Sequence, residues 1–136
     1  GEDVNVGPTL YLSNGTQITS DRDKKHDICY ELDAYDAVFD ALKPAIYKLN
    51  DGTSGRYHGG FIAQDVEEAI LGAGLTTKDY AVFCRIPIYA TDENGNPTEE
   101  IVDYTCSLRP DEIIPLNTRE IQKLKKRVAE LEAKIA

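Results

Sequence analysis

Residues 114–136 read IPLNTREIQKLKKRVAELEAKIA, and this stretch decides how the rest of the chain is organised. Ile114, Ile121, Val128 and Ile135 recur every seven residues, and Asn117, Leu124 and Leu131 fill the second row. β-Branched residues at a and leucine at d are the pattern of a parallel coiled coil. The flanking positions agree with it. Glu120 at g faces Lys125 at e of a parallel neighbour, and Arg127 at g faces Glu132 at e. Glu130 and Lys134 stand at i,i+4 on the outer side, and Pro115 suits the first turn of the helix. A surface helix docked on its own chain would show the same spacing, but the e/g complementarity favours self-association. The a/d residues favour two strands, while Asn117 at d is compatible with other numbers, so the pattern leaves the count of chains open. So short a seam, about three heptads, is marginal alone and needs help from the rest of the chain.

That remainder is acidic. The 136 residues carry 24 Asp and Glu against 15 Lys and Arg, a net charge of −9. From Thr118 onward there are six basic and three acidic residues, so the helix is near +3 and the rest near −12. A body of that charge repels nucleic acid and anionic membranes, and neither is expected as a partner. No apolar run approaches the roughly 20 residues that cross a bilayer. Cys29, Cys84 and Cys106 are odd in number and widely spaced, and His26 near Cys29 has no second pair of ligands. No metal, cofactor or disulfide framework is expected, and the thiols are expected to be mostly buried.

Upstream, Leu10-Tyr11-Leu12, Asn14-Gly15 and Gln17-Ile18-Thr19 read as a short hairpin, the end of a longer β-structure. A charge-dense joint follows, Ser20 to Asp27. Ala34, Val38, Phe39 and Leu42 recur at helical spacing, and Pro44 ends that helix. Ala45 to Leu49 alternates as a strand, and Asn50 to Gly55 is a loop. Gly59-Gly60 precedes a second helix over 62–71, with Gly72 as its cap. Tyr80 to Tyr89 and Ile101 to Leu108 are strands around a loop at 92–97, and Pro87 marks an edge or a bulge. The expected fold is α+β: small hairpins and short helices packed as a body, then a long helix.

Three stretches carry a resemblance. They are Ser20-Asp21-Arg22-Asp23-Lys24-Lys25; Gly60-Phe61-Ile62-Ala63-Gln64-Asp65-Val66-Glu67; and Tyr104-Thr105-Cys106-Ser107-Leu108-Arg109 leading into Ile121-Gln122-Lys123-Leu124. In order and spacing they resemble the C-terminal intramolecular chaperone, or self-cleaving peptidase, domain of phage tailspikes, endosialidases and neck appendages. The resemblance covers residues 20–136. It implies a homotrimer, with residues 1–19 as the fibre end and cleavage junction, 20–112 as the chaperone body and 113–136 as the coiled coil. It implies that the domain aids folding of the upstream fibre of the same chain in the bacterial cytoplasm. The domain then cuts between Thr19 and Ser20 and is released from the virion tail or retained on it. It implies Ser20 and Lys25 as a catalytic dyad. The alternative is a permanent trimerisation cap at a fibre tip with no chemistry.

The residues constrain that chemistry. A serine hydroxyl needs a base, and a lysine is a base only when neutral. Burial disfavours its charge, whereas Asp21, Asp23 and Asp27 favour it, so assembly that buries Lys25 is expected to arm the pair. On a regular helix, residues five apart lie about 140° around the axis and do not meet, whereas Ser20 and Lys24 would. An extended or turned joint favours Lys25, with Lys24 second. Ser20 is also suited to be a turn or helix cap, a role that Asp21 shares. His58 is a weaker candidate for acid or base. Gly52 to Gly55 lacks the ending of a phosphate loop, and Glu67-Glu68 reads as a solvated helix face rather than a glycosidase pair.

Overall fold

The computed structural model describes residues 17–136, which form two units, one ending at Glu31 and one spanning Leu32–Ala136. The upstream hairpin reading falls largely outside the described residues.

The second unit is α+β. Helix α1 spans Asp33–Ala41, and Leu42 leaves it extended at φ −65°, ψ 144°, just ahead of Lys43, the residue that Pro44 keeps out of the helical region. Strand β1 (Ala45–Tyr47) pairs antiparallel with β2 (His58–Gly60), placing Tyr47 opposite His58 and Ala45 opposite Gly60. A Cβ on Gly60 would lie 3.1 Å from the Tyr47 hydroxyl, so this close approach suits glycine. The Gly59-Gly60 pair is therefore strand, not only a helix lead-in. Helix α2 spans Ala63–Gly72. Its cap is not Gly72 as expected. The chain closes on Ala73, and the left-handed residue is Gly74 at φ 81°, whose amide reaches the Leu71 carbonyl while Leu75 reaches Ile70.

Strands β3 (Phe83–Thr91) and β4 (Pro97–Leu108) form an antiparallel hairpin with register breaks at Ile88/Tyr89 and Tyr89/Thr91, just beyond Pro87. A 3₁₀ turn, Pro110–Ile113, leads into α3, Ile114–Ile135, with Pro115 in its first turn.

The core gathers where these elements meet. Val38, Val66, Ile70 and Val82 are fully buried, with Phe83, Ile113 and Leu116 beside them. Tyr80 joins them edge-on to Tyr35, ring centroids 5.6 Å apart, and its hydroxyl donates to the Glu112 carbonyl at 2.7 Å. Burial, then the nearby Glu112 charge, pushes the Tyr80 hydroxyl up to about 12. Arg109 donates its amide to the Val82 carbonyl at 2.8 Å, which ties the start of α3 to the root of the hairpin. Neither hairpin cysteine is buried, and Cys29 is exposed, against the expectation for free thiols.

Candidate active site

The joint from Gln17 to Glu31 is exposed throughout. Its only regular turn is 3₁₀, Arg22–Lys24. Asp21 caps it: its backbone is extended at φ −70°, ψ 133°, and its carboxylate accepts the Asp23 amide at 2.9 Å. The sequence offered Ser20 and Asp21 for that role, and Asp21 takes it. Lys25 leaves the turn extended at φ −128°, ψ 157°, with its amide on the Arg22 carbonyl. A single tight turn flanked by extended residues brings positions 20 and 25 together where a regular helix would separate them. Lys25 Nζ lies 2.7 Å from Ser20 Oγ.

This contact has the length of a strong hydrogen bond. An ammonium Nζ donates to the hydroxyl oxygen; a neutral amine accepts the hydroxyl proton, the arrangement a nucleophile requires. Lys24 is drawn into the turn, donating its amide to the Asp21 carbonyl at 3.0 Å. Two of the flanking aspartates are engaged locally: Asp21 with the Asp23 amide, and Asp27 Oδ2 at 3.1 Å from His26 Nδ1. Asp27 holds φ 53°, a left-handed conformation that short polar side chains tolerate. Among the described residues no carboxylate stands within ion-pair distance of Lys25. His58 belongs to the second unit, exposed on β2, with its ring stacked on Tyr47 at 6.1 Å.

A second candidate surface lies on α3. Its seam residues Ile114, Ile121, Leu124, Val128, Leu131 and Ile135 are all exposed. The helix docks on its own chain by a different side. Leu116 enters the core, and Arg119 and Lys123 reach Asp36 of α1 at 2.9 Å each, with Arg119 also 2.7 Å from Asp33. These donors hold the Asp36 carboxyl far below the usual carboxylate range. On the outer side the ion pair is Arg127–Glu130 at 3.7 Å, rather than the expected Glu130–Lys134. Sequence reasoning missed the Asp36 cluster. The only signal for it is the run of Asp33, Asp36 and Asp40 along one helix against basic residues far downstream.

Residues 20–75 match a peptidase family model described as "Chaperone of endosialidase". The match covers less than half of the chain. The family match opens at Ser20 and takes in both Lys25 and the Gly60–Glu67 signature. The chain is 36% identical over 79 residues to a capsule-specific depolymerase, "Depolymerase 1", of Klebsiella phage KP32. That is 54% of this chain but 9% of the depolymerase. A solved structure described as a novel intramolecular chaperone is similar at TM-score 0.63 and 28% identity, over 79% of this chain and 99% of that one. The carboxy-terminal domain of the bacteriophage T5 L-shaped tail fibre, with its intramolecular chaperone domain, shares the fold. Its TM-score is 0.55 at 21% identity, over 96% of this chain and 34% of that one. The fold that this chain shares with them is α+β with a C-terminal helix. No helix among the described residues is long and apolar enough to cross a membrane.

Proposed function

We propose that this chain is an intramolecular chaperone that associates in parallel as a trimer through α3. It aids the folding of a phage fibre segment upstream of Ser20 in the same chain, and releases itself by cutting the Thr19–Ser20 bond once. The observation that carries this reading is the 2.7 Å contact between Lys25 Nζ and Ser20 Oγ, at the residue where the family match opens. Supporting it are the exposed heptad seam of α3 and the T5 tail fibre, which is described with its own intramolecular chaperone domain. The functional division is 1–19 as fibre end and junction, 20–112 as body and 113–136 as bundling helix. Assembly takes place in the host cytoplasm, and the domain leaves the virion tail or stays on it.

The chemistry follows from position. Ser20 Oγ attacks the Thr19 carbonyl carbon directly upstream. Lys25, as a neutral amine, takes the hydroxyl proton and passes it to the Ser20 nitrogen as the C–N bond breaks. A Thr19 ester on Ser20 Oγ results, and water hydrolyses it to a Thr19 carboxylate and a free Ser20. The joint is exposed in the single chain, and in this reading association is what packs other chains around Lys25 and removes its solvation.

The same exposure favours one second reading, a permanent trimerisation cap without chemistry. A gel of a longer precursor separates the two. Two fragments, the smaller beginning at Ser20 and both lost on Ser20→Ala, support self-release. A single uncut chain supports the cap.

A further inference from the structure

Helix α1 borders one edge of the α3 seam. Leu116 at c is buried in the core, and Arg119 at f and Lys123 at c are held by Asp36 of α1. The body therefore lies along the c, f and g side of α3, while Thr118 and Lys125 at e are exposed. At the g edge a hollow of about 470 Å³ is lined by Asn117, Glu120, Ile121 and Leu124 of α3 and by Phe39 and Asp40 of α1. The four helix residues stand at d, g, a and d, the set that forms the hole for an a-position knob of a parallel neighbour. Ile121 and Leu124 are 57% and 63% exposed, so most of their apolar surface meets water in a single chain. Phe39 packs against the core and also lines the hollow. A further hollow of about 380 Å³ adjoins the first at Phe39 and Asn117 and runs on over Leu42, Pro44 and Phe61. The apolar seam thus continues from the helix onto the body.

Shape and charge both fit a second copy of this chain. In a parallel pair the a knob at this level is Ile121 of the second copy, and Lys125 of that copy, at e, runs along the g edge. The heptad partner of Lys125 is Glu120, but Glu120 turns towards its own chain: its side chain is 16% exposed, with Oε1 3.6 Å from Lys123 Nζ. The carboxylate left exposed at this edge is Asp40. It has no ion pair among the described residues, whereas Asp33 and Asp36 are both taken. Lys125 is likewise exposed and without an ion pair among the described residues. Asp40 and Lys125 border opposite edges of one chain's seam, so two chains are needed to bring them together.

We infer that α1 completes the association socket: Ile121 of a second copy seats in the hole of α3 against Phe39, and its Lys125 pairs with Asp40. The inference rests on the association reading above and adds the body to the interface. Helix α1 stands at this edge because the core and the Asp36 ion pairs dock it there, so the socket is a product of the folded body. A seam of about three heptads, marginal by itself, gains an apolar wall and a countercharge from outside the helix. Association then selects chains whose bodies have folded.

Sedimentation equilibrium of the full chain tests this on wild type, Asp40→Lys, Lys125→Glu and the double variant, with circular dichroism to verify that each is folded. Asp40→Lys makes every chain less acidic, so general repulsion alone would tighten association. The expected result is the opposite. Each single variant weakens association by about two- to fivefold per interface at low salt, and the double variant recovers most of the loss. If Asp40→Lys associates at least as tightly as wild type while Lys125→Glu is weakened, the socket is overturned and helix association stands. A loss in Asp40→Lys that Lys125→Glu does not recover would overturn the pairing across the two chains. A wild-type monomer at every concentration would overturn association itself and the socket with it.

Discussion

Ser20 and Lys25 meet because three residues between them make one 3₁₀ turn and their neighbours do not. The path was open in the sequence, which favours Lys25 for an extended or turned joint and Lys24 for a regular helix. The polar joint lacks the apolar periodicity of a helix, and only a non-helical path lets residues at this spacing touch. The identity of the cap was not legible, since Ser20 and Asp21 are both good caps and only the backbone path decides. Lys25→Ala should slow cutting by about 10²–10⁴-fold, the size of a general-base contribution, while Lys24→Ala leaves it nearly unchanged. Fragment appearance over time on a gel measures both, and the reverse pattern would reassign the base. Tyr80 makes a second residue-scale case. Its hydroxyl ordinarily titrates near 10.0 and is raised to about 12, so its contribution is complete below the lower value and lost as pH rises through the higher one. The melting temperature should fall across that alkaline window. In Tyr80→Phe the fall should be shallower, from a lower start because the Glu112 carbonyl loses its donor.

At the scale of elements, periodicity located α1, α2, α3 and both strands of the long hairpin, because each carries its apolar residues at its own period for several turns or pleats. Strand β2 escaped, since three residues with two glycines hold no alternation to read. The end of α2 slipped by two residues because Gly72 and Gly74 are equal candidates in sequence, and the deciding factor is which carbonyls remain to be closed. Helix α3 has two distinct faces. One carries the heptads and is exposed; the other holds Arg119 and Lys123 against Asp36. That second face pairs residues more than 80 positions apart, 83 for Arg119 with Asp36, and spacing along one helix cannot reveal it. Asp36→Asn should lower the melting temperature, less so in high salt, by loosening the root of α3. Ile70→Ala removes a fully buried side chain at the centre of the core and should cost about 2–5 kcal/mol, read by urea denaturation.

For the molecule as a whole, the acidic body and basic helix divide the labour. The body carries the Ser20–Lys25 pair on a solvated joint, and the helix carries six exposed apolar residues at the seam positions, which a single chain leaves in water. In the proposed function, bundling the helices covers that surface and draws the chains together around the Ser20–Lys25 pair. On that proposal, cutting follows only once the chains have come into register. The most direct test is the rate of cutting in a longer precursor as protein concentration is raised through the association midpoint, with Leu124→Asp as a seam variant. The account predicts a rate that climbs with the associated fraction and collapses in the variant at every concentration. A rate that is the same in dilute and concentrated samples, and unchanged by Leu124→Asp, would contradict it.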